Sequence, residues 1–331
     1  MKKLIVFFLV FTLVSLFGLT CLAETNDTIR IGVFIPNAGD PYYQNKAYGY
    51  VQAAVLLKQL QDINVELKLY DAGGYEYPLT QIQQIEDGLQ RGMDAMIITA
   101  CDASALIPVV EKVFESGVPV IADDVMVNTE TTMKISEDSK HVGEVQAQFI
   151  VDRLGGKGNI VMLLGTPGAD LTKERANGAL ECFEKYPDIH ILDKQWHSQT
   201  LNEALKKMED FIQAYGDDID GVYTIDAVAA MAVSQALQAA GFKPGDVVIA
   251  TTDLHAEIMK FIEEGWVTAT IPCQPVKLAR SAVLFAVQAA QGKEIPKRIY
   301  TRDEIALTID SMKTFDPSDV FAPDGWKPTF Y

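Results

Sequence analysis

The sequence predicts an α/β protein with parallel sheets, arranged as two lobes. After Thr28, short runs of aliphatic and β-branched residues alternate with amphipathic stretches of about 12 to 20 residues, separated by loops rich in Gly, Pro or Asp. Several runs, such as 95–99, are apolar at successive positions, which is typical of strands buried on both faces of a parallel sheet. The alternation continues for about 240 residues, which exceeds one ordinary sheet and therefore predicts two lobes.

Nine runs carry the strand pattern. They are Ile29–Ile35, Val65–Tyr70, Ala95–Thr99, Val118–Ala122, Ile160–Leu164, Ile189–Trp196, Gly221–Thr224, Val247–Ala250 and Thr268–Ile271. The helix pattern is clear over Ser104–Glu115, where apolar residues recur at helical spacing on one face. A second α/β unit is predicted to begin at Met133, with a short apolar run followed by a new helix through Leu154. The tail, Phe315–Tyr331, is rich in Pro and aromatic residues, which predicts an irregular segment packed on a lobe.

Composition and charge narrow the possible partners. The chain has 331 residues, of which 48% are hydrophobic, and this is enough for one large or two medium cores. Its 45 acidic residues outnumber its 28 basic residues and give a formal net charge of −17. A surface that binds nucleic-acid phosphates relies on positive charge, so the composition argues against a nucleic-acid partner.

Residues 1–23 predict a secretory signal peptide. Two lysines precede an apolar run over residues 4–19, and Ala23 is a small residue suited to cleavage before Glu24. The alternative is an uncleaved membrane anchor, because about 20 apolar residues can span a bilayer. Cleavage would place the mature protein in the periplasm.

The sequence contains none of the common catalytic, metal or cofactor motifs. There is no Gly-x-Ser-x-Gly, no His-Glu-x-x-His, no Cys-x-x-Cys and no phosphate-binding loop between a strand and a helix. The four histidines show no paired ligand spacing, and Cys101, Cys182 and Cys273 are predicted to be buried thiols. An enzyme would need a clustered nucleophile or acid/base pair, which the sequence does not indicate, so no enzymatic activity, metal or cofactor is expected.

One motif, Asp40-Pro-Tyr-Tyr43, directly follows the first predicted strand and opens a long helix. Further motifs follow in order, namely Val118-Pro-Val-Ile-Ala-Asp-Asp124, Asp138 with Gly143, Glu174-Arg-Ala-Asn-Gly178, Asp226, Asp253 and Ala269-Thr-Ile271. Together they resemble the type I periplasmic binding proteins of the ribose-binding kind over essentially the whole mature chain. A closer resemblance is to the TorT-like branch, periplasmic proteins that partner a membrane sensor kinase in the response to trimethylamine N-oxide. It rests on the first motif, on Asp71-Ala-Gly-Gly-Tyr75 and on the ending Gly325–Tyr331.

The resemblance implies two Rossmann-like lobes that the chain joins by three crossings, near residues 134, 274 and 302. The N-terminal lobe would comprise residues 28–133 plus 275–302, and the C-terminal lobe residues 134–274 plus 303–331. Such a hinge makes closure of the lobes and binding of a ligand one equilibrium.

The resemblance also implies a set of ligand-binding residues. They are Asp40, Tyr42, Tyr43, Asp124, Asp138, Arg175, Asp226, Asp253 and Gln274. Val125 replaces the family's Arg after Asp124, and Cys273 falls on the family's Gln position, so Gln274 would face the ligand if the register slips by one. Each tyrosine could instead be a core residue at the helix start, and Asp226 could be a helix cap.

The residues implied at the site leave the class of ligand open. Four aspartates, Asp40, Asp124, Asp226 and Asp253, face Arg175 alone, and such a surplus favours a cationic or zwitterionic ligand over a plain sugar. By resemblance the protein closes on a small polar ligand and presents it to a membrane partner, either a sensor kinase in TorT-like sensing or, alternatively, the permease of a sugar ABC transporter. A LacI-type repressor shares the fold, but the signal peptide and the missing helix-turn-helix argue against it.

Overall fold

Eleven strands and ten helices occur in the part of the chain that the computed structural model describes, residues 28–167, 170–198, 200–302 and 305–330. The strands are β1 Ile29–Ile35, β2 Val65–Asp71, β3 Ala95–Ile98, β4 Val120–Asp123, β5 Met133–Glu137, β6 Gly158–Leu163, β7 Ile189–Gln195, β8 Gly221–Thr224, β9 Val248–Thr252, β10 Ala269–Ile271 and β11 Arg298–Thr301. The helices are α1 Pro41–Gln61, α2 Pro78–Gln90, α3 Ile107–Glu115, α4 Ser139–Arg153, α5 Asp170–Phe183, α6 Leu201–Tyr215, α7 Ala227–Ala239, α8 Ala256–Glu263, α9 Pro275–Ala290 and α10 Ile309–Met312. The predicted signal peptide lies outside the described residues.

The strands form two separate parallel sheets, as the sequence predicts. The first has the order β11-β5-β4-β3-β1-β2 and the second the order β10-β9-β8-β6-β7. Every pairing within them is parallel. The first sheet with its helices is called the first lobe below, and the second sheet with its helices the second lobe.

Helices cover both faces of each sheet, which is why most residues of the central strands are buried. In β3 all four residues are fully buried. Side chains of α1 and α9 form a core with one face of the first sheet, while α2 and α3 cover the other face. In the second lobe α6, α7 and α8 pack on one face, and α4 and α5 pack on the other. Two layers of helix on each sheet confirm the predicted α/β class.

At the first crossing, one strand belongs to a different lobe from the one predicted. Strand β5 pairs along β4 and β11, so residues 133–137 complete the first sheet and do not start the second lobe. The chain crosses between Glu137 and the start of α4 at Ser139, which packs on the second sheet. The later crossings lie between β10 and α9 and after β11.

The tail contacts both lobes, whereas the sequence placed all of it with the second. Leu307 pairs with Thr270 of β10, and Val320 is buried in the core of the second lobe. Beyond that point Trp326 and Phe330 pack against the core of the first lobe. The segment 307–330, called the strap below, is therefore a further connection between the lobes.

Two glycines bring helices α4 and α5 unusually close together. A Cβ atom added to Gly143 would lie 1.9 Å from the carbonyl oxygen of Arg175, and one added to Gly178 would lie 1.9 Å from that of Lys140. No side chain fits at either position, so the two helices cross backbone against backbone. This crossing sets the position of Arg175, whose side chain extends from α5 toward the hinge.

Candidate functional site

A cavity of about 260 Å³ lies where the carboxyl ends of strands from both sheets meet. Loops that follow β1, β2, β4, β5, β8, β9 and β10 reach it, as expected for ligand sites in parallel α/β sheets. We call it the ligand cavity. Its walls are formed by Asp40, Tyr42, Tyr43, Tyr75, Asp124, Val125, Glu137, Leu171, Arg175, Asp226, Ala227, Val228, Asp253, His255 and Cys273.

Seven of the nine residues implied by the resemblance line this cavity. They are Asp40, Tyr42, Tyr43, Asp124, Arg175, Asp226 and Asp253. Asp138 does not line it. Its carboxylate caps helix α4 at the His141 N–H and accepts a hydrogen bond of 2.9 Å from Arg302 Nε. Gln274 also stands outside the wall, and Cys273 takes its place there.

Two of the aspartates have a structural role in addition to their place in the wall. Asp40 accepts a hydrogen bond of 2.8 Å from the Tyr42 N–H at the start of α1, and Asp226 accepts one of 2.8 Å from the Ala229 N–H at the start of α7. A carboxylate is stabilised at a helix N-terminus by these donors and by the helix dipole. Capping and lining the cavity are therefore compatible at both positions.

Three tyrosines form the aromatic wall of the cavity. Tyr42 and Tyr43 meet edge to face with ring centres 5.4 Å apart, and Tyr75 lies 6.4 Å from Tyr43 with the two hydroxyl oxygens at 2.5 Å. Burial, together with the charge of Asp124, raises the pKa of Tyr42 and Tyr43 well above the ordinary value. The tyrosines are thus neutral phenols that present ring surface to a ligand. Tyr75 ends the Asp71-Ala-Gly-Gly-Tyr75 motif, but the sequence did not identify it as a site residue.

Arg175 is buried and held by partners on both sides of the hinge. Its guanidinium donates to Glu137 Oε2 at 2.8 Å, to Thr252 Oγ1 at 2.7 Å and to the carbonyl of Ile225 at 3.2 Å. Burial opposes the charge, yet Glu137, Cys273 and Asp253 hold the pKa of Arg175 above its ordinary value. The side chain is a permanent cation fixed in one orientation, with Glu137 as a counter-ion that the sequence did not reveal.

A second buried cation, Lys46, contacts Asp124 and was not part of the charge count made from the sequence. Its Nζ lies 3.1 Å from Asp123 Oδ1 and 3.3 Å from Asp124 Oδ2, and the lysine side chain is fully buried. Tyr50 donates to Asp123 as well. Asp124 therefore has a protein counter-ion, but Lys46 shares its charge with Asp123, so the surplus of carboxylates counted from the sequence is not removed. Lys46 lies on the buried face of α1 with Tyr43 and Tyr50, three and four residues away, and this spacing was the signal available in the sequence.

Backbone strain is concentrated at this cavity. Outside glycine, four described residues have a positive φ, and Asp124 at 70°, Asp253 at 69° and Cys273 at 44° all line the cavity. Each follows the end of a strand, where the chain turns sharply. Conformations of this kind cost free energy and persist where the surrounding structure imposes them, which is common at binding sites.

The fold defines a two-lobed protein with a cavity at the hinge between its lobes. A family model described as "Periplasmic binding protein domain" matches residues 31–294. The chain therefore belongs to the periplasmic binding protein family, and it is a solute-binding protein rather than an enzyme.

Known relatives agree with this assignment. The chain is 30% identical over 288 residues to the D-xylose-binding periplasmic protein of Escherichia coli strain K12, covering 86% of this chain and 84% of the relative. It is 34% identical over 163 residues to a xylitol-binding protein of Mycolicibacterium smegmatis, a match that spans 49% of this chain and 47% of that protein.

A solved structure shows the same fold. It is an ABC transporter solute-binding protein from Bradyrhizobium sp. BTAi1 with bound bis-tris, which superimposes with a TM-score of 0.80 and covers 92% of this chain and 90% of its own at 23% identity. The predicted pair of lobes with parallel sheets is thereby confirmed.

Proposed function

We propose that the protein is the sugar-binding component of an ABC uptake system and delivers its ligand to a membrane permease. The observation that carries this proposal is the composition of the ligand cavity, in which an aromatic wall faces a ring of fixed hydrogen-bonding groups. Sugar rings are bound in this way, with apolar C–H surface against aromatic rings and hydroxyl groups against charged partners.

The polar groups of the cavity also suit a ligand with several hydroxyl groups. Arg175 is paired with Glu137, Lys46 is shared between Asp123 and Asp124, and two carboxylates are engaged as helix caps, so these groups are held in fixed positions. Carboxylate oxygens accept from sugar hydroxyls, and Arg175 donates to them. The size supports a single sugar ring, because about 260 Å³ lies below the roughly 300 to 1,000 Å³ typical of sites for drug-sized molecules.

The relatives support the same class of ligand, since those described above are named for D-xylose and xylitol. Family membership and the predicted signal peptide support a periplasmic location after export. Small ligands that bind only the closed lobes couple binding to closure, and the closed form would be the one that the permease recognises.

A sensor-kinase partner is the second candidate, and Tyr75 is the observation that favours it. This residue comes from one of the motifs that resemble the TorT-like branch, and it lies in the wall of the cavity. Three tyrosines can also enclose a methylated cationic group. The two functions therefore predict different ligands for one cavity.

A titration of purified protein distinguishes the two functions. D-xylose, D-ribose and xylitol are compared with trimethylamine N-oxide and glycine betaine by calorimetry and by the shift of the melting temperature, which rises when a ligand binds only the native state. We expect a pentose or pentitol to bind and the amine compounds to give no shift. Binding of an amine compound without binding of any sugar would overturn the proposal in favour of the sensor.

Tyr75→Ala tests whether the binding occurs in this cavity, and Tyr77→Ala is its matched control. The two tyrosines are 46% and 49% exposed and lie in the same loop, but only Tyr75 lines the cavity. We expect Tyr75→Ala to weaken sugar binding roughly tenfold through loss of the ring contact, and Tyr77→Ala to leave it unchanged. Equal effects of both substitutions would place the sugar elsewhere.

A further inference from the structure

A second cavity of about 310 Å³ adjoins the ligand cavity on the side of the strap. The two cavities share Tyr42, Asp253, His255 and Cys273, so these four residues form the partition between them. We call the second one the hinge chamber. The residues that line it and not the ligand cavity include Pro41, Leu254, Pro272, Pro275, Val320 and Phe321.

The wall of the hinge chamber is largely apolar and contains three residues of restricted backbone. Three of its residues are prolines, at the first positions of α1 and α9 and directly after β10, where the fixed φ of proline limits movement. Val320 and Phe321 of the strap complete the wall, and both pack against the core of the second lobe. The chamber is therefore a formed part of the structure, and the strap closes it.

The hinge chamber offers few groups that would bind a second sugar ring. Asn45 already accepts a hydrogen bond of 2.9 Å from the Ala322 N–H, and Glu257 is exposed to solvent. Asp253 and His255 stand at the partition, beside the ligand cavity. A disaccharide would leave several hydroxyl groups against proline, leucine and phenylalanine, and burying them without partners is costly.

Taking the proposed function as its basis, we infer that the protein binds sugars that carry an apolar substituent. The sugar ring occupies the ligand cavity, and an alkyl or aryl group joined to it through a glycosidic oxygen enters the hinge chamber past Tyr42. The preferred ligand class is thus a glycoside with a small apolar aglycone. The change from the polar wall of the ligand cavity to the largely apolar wall of the hinge chamber matches the two halves of such a molecule.

The wild-type protein is tested with D-xylose, with its methyl and phenyl glycosides as separate α and β anomers, and with xylobiose. If D-xylose does not bind while another sugar does, the same two glycosides of that sugar are the probes. We expect one phenyl glycoside to bind roughly tenfold or more tightly than the matching methyl glycoside, because the ring becomes buried against apolar walls. Xylobiose is expected to gain nothing over D-xylose.

Phe321→Ala tests whether the phenyl group gains its affinity in the hinge chamber, and Phe315→Ala is its matched control. Both phenylalanines lie in the strap and pack against the core of the second lobe, but only Phe321 lines the hinge chamber. Phe321→Ala should remove most of the advantage of the phenyl glycoside and leave the affinity for the free sugar unchanged, whereas Phe315→Ala should keep the advantage. Phe321→Leu is the milder substitution if the alanine variant does not fold.

The outcomes separate this inference from the proposed function. Binding of the free sugar with no gain from either phenyl anomer would overturn the inference and leave the proposed function intact. A gain that survives Phe321→Ala would also overturn it, since the group would then lie outside the chamber, and a gain for xylobiose alone would assign the chamber to a second sugar. Failure of every sugar and glycoside to bind would remove both proposals.

Discussion

Asp253, in the wall of the ligand cavity, has two features that destabilise the folded protein. Its backbone has a φ of 69°, and burial raises the pKa of its carboxyl group although the nearby Arg175 opposes the rise. A buried carboxylate destabilises the folded protein at neutral pH, because its charge loses hydration. Costs of this kind at a cavity indicate that the group serves binding rather than stability.

Replacing Asp253 with Asn separates these effects. Asparagine tolerates a positive φ and carries no charge, so we expect the free energy of unfolding at pH 7 to rise by about 1 kcal/mol. Sugar affinity should fall roughly tenfold or more, since an amide cannot replace a charged acceptor. Denaturant unfolding and calorimetry measure the two quantities. A variant that is less stable and binds normally would show that Asp253 is a structural residue.

The same substitution carries a pH dependence with a definite sign. The pKa of Asp253 is higher in the folded than in the unfolded state. The ionised carboxylate therefore destabilises the folded protein fully above the folded pKa, and this destabilisation disappears as pH falls below the unfolded value near 4. The stability advantage of Asp253→Asn should therefore shrink on acidification. Asp62→Asn is the control, because Asp62 has a φ of 54° but an exposed carboxylate.

Residues of the cavity could be predicted where they belong to a sequence motif. They could not be predicted where only a tertiary contact brings them to the cavity. Asp40, Tyr42 and Tyr43 stand together in a single motif directly after a strand, and the fold brings them to the cavity. Glu137 and Lys46 belong to no motif, because their role is to neutralise charges that lie 38 and 78 residues away in the chain. Charge counts made from the sequence therefore could not include these two residues, or Asp123 as the other partner of Lys46.

At the scale of elements, the crossing of α4 and α5 is the contact on which the position of Arg175 depends. Gly143 and Gly178 allow each helix to approach the backbone carbonyl of the other, at Arg175 and Lys140. Because the obstructing atoms belong to the backbone, they cannot rotate away as a side chain would. The two helices would have to separate to admit even one methyl group.

Gly143→Ala should therefore destabilise the protein, although alanine favours helices. We expect a loss of about 2 to 4 kcal/mol in the free energy of unfolding, together with weaker sugar binding because Arg175 moves with α5. Gly39→Ala is the control, since its added Cβ would meet only the side chain of Asn37, at 3.1 Å. If Gly143→Ala were as stable as the control, the close approach of the helices would be refuted.

Elements could be predicted when their pattern was strong and local. The apolar runs of β1 and β8 correspond to the observed strands residue for residue. Strand β11 was missed because its pattern is partly exposed and short, so its residues look like a loop until β5 pairs with them. Strand β5 was assigned to the wrong side of the first crossing, because pairing with β4 and β11 is a long-range contact that periodicity does not contain.

At the scale of the molecule, the number of lobes could be predicted from chain length and alternation, but the course of the strap could not. The strap is held to the second lobe by Val320 and to the first by an ion pair between Asp319 and Arg280 and by Trp326. Composition indicates an irregular segment that packs on something apolar, and it does not indicate which lobe. Two-sided attachment follows only from the folded structure.

The attachment of the strap to the first lobe leads to the final prediction. Trp326 meets Tyr48 of α1 edge to face with ring centres 5.3 Å apart and lines neither the ligand cavity nor the hinge chamber. Trp326→Ala should lower the free energy of unfolding by about 1 to 3 kcal/mol and leave sugar affinity unchanged. Trp196→Ala, at an exposed tryptophan of the second lobe, is the control and should change stability by less than about 0.5 kcal/mol. Chemical denaturation followed by circular dichroism measures both variants, and equal losses would show that the end of the strap does not stabilise the first lobe.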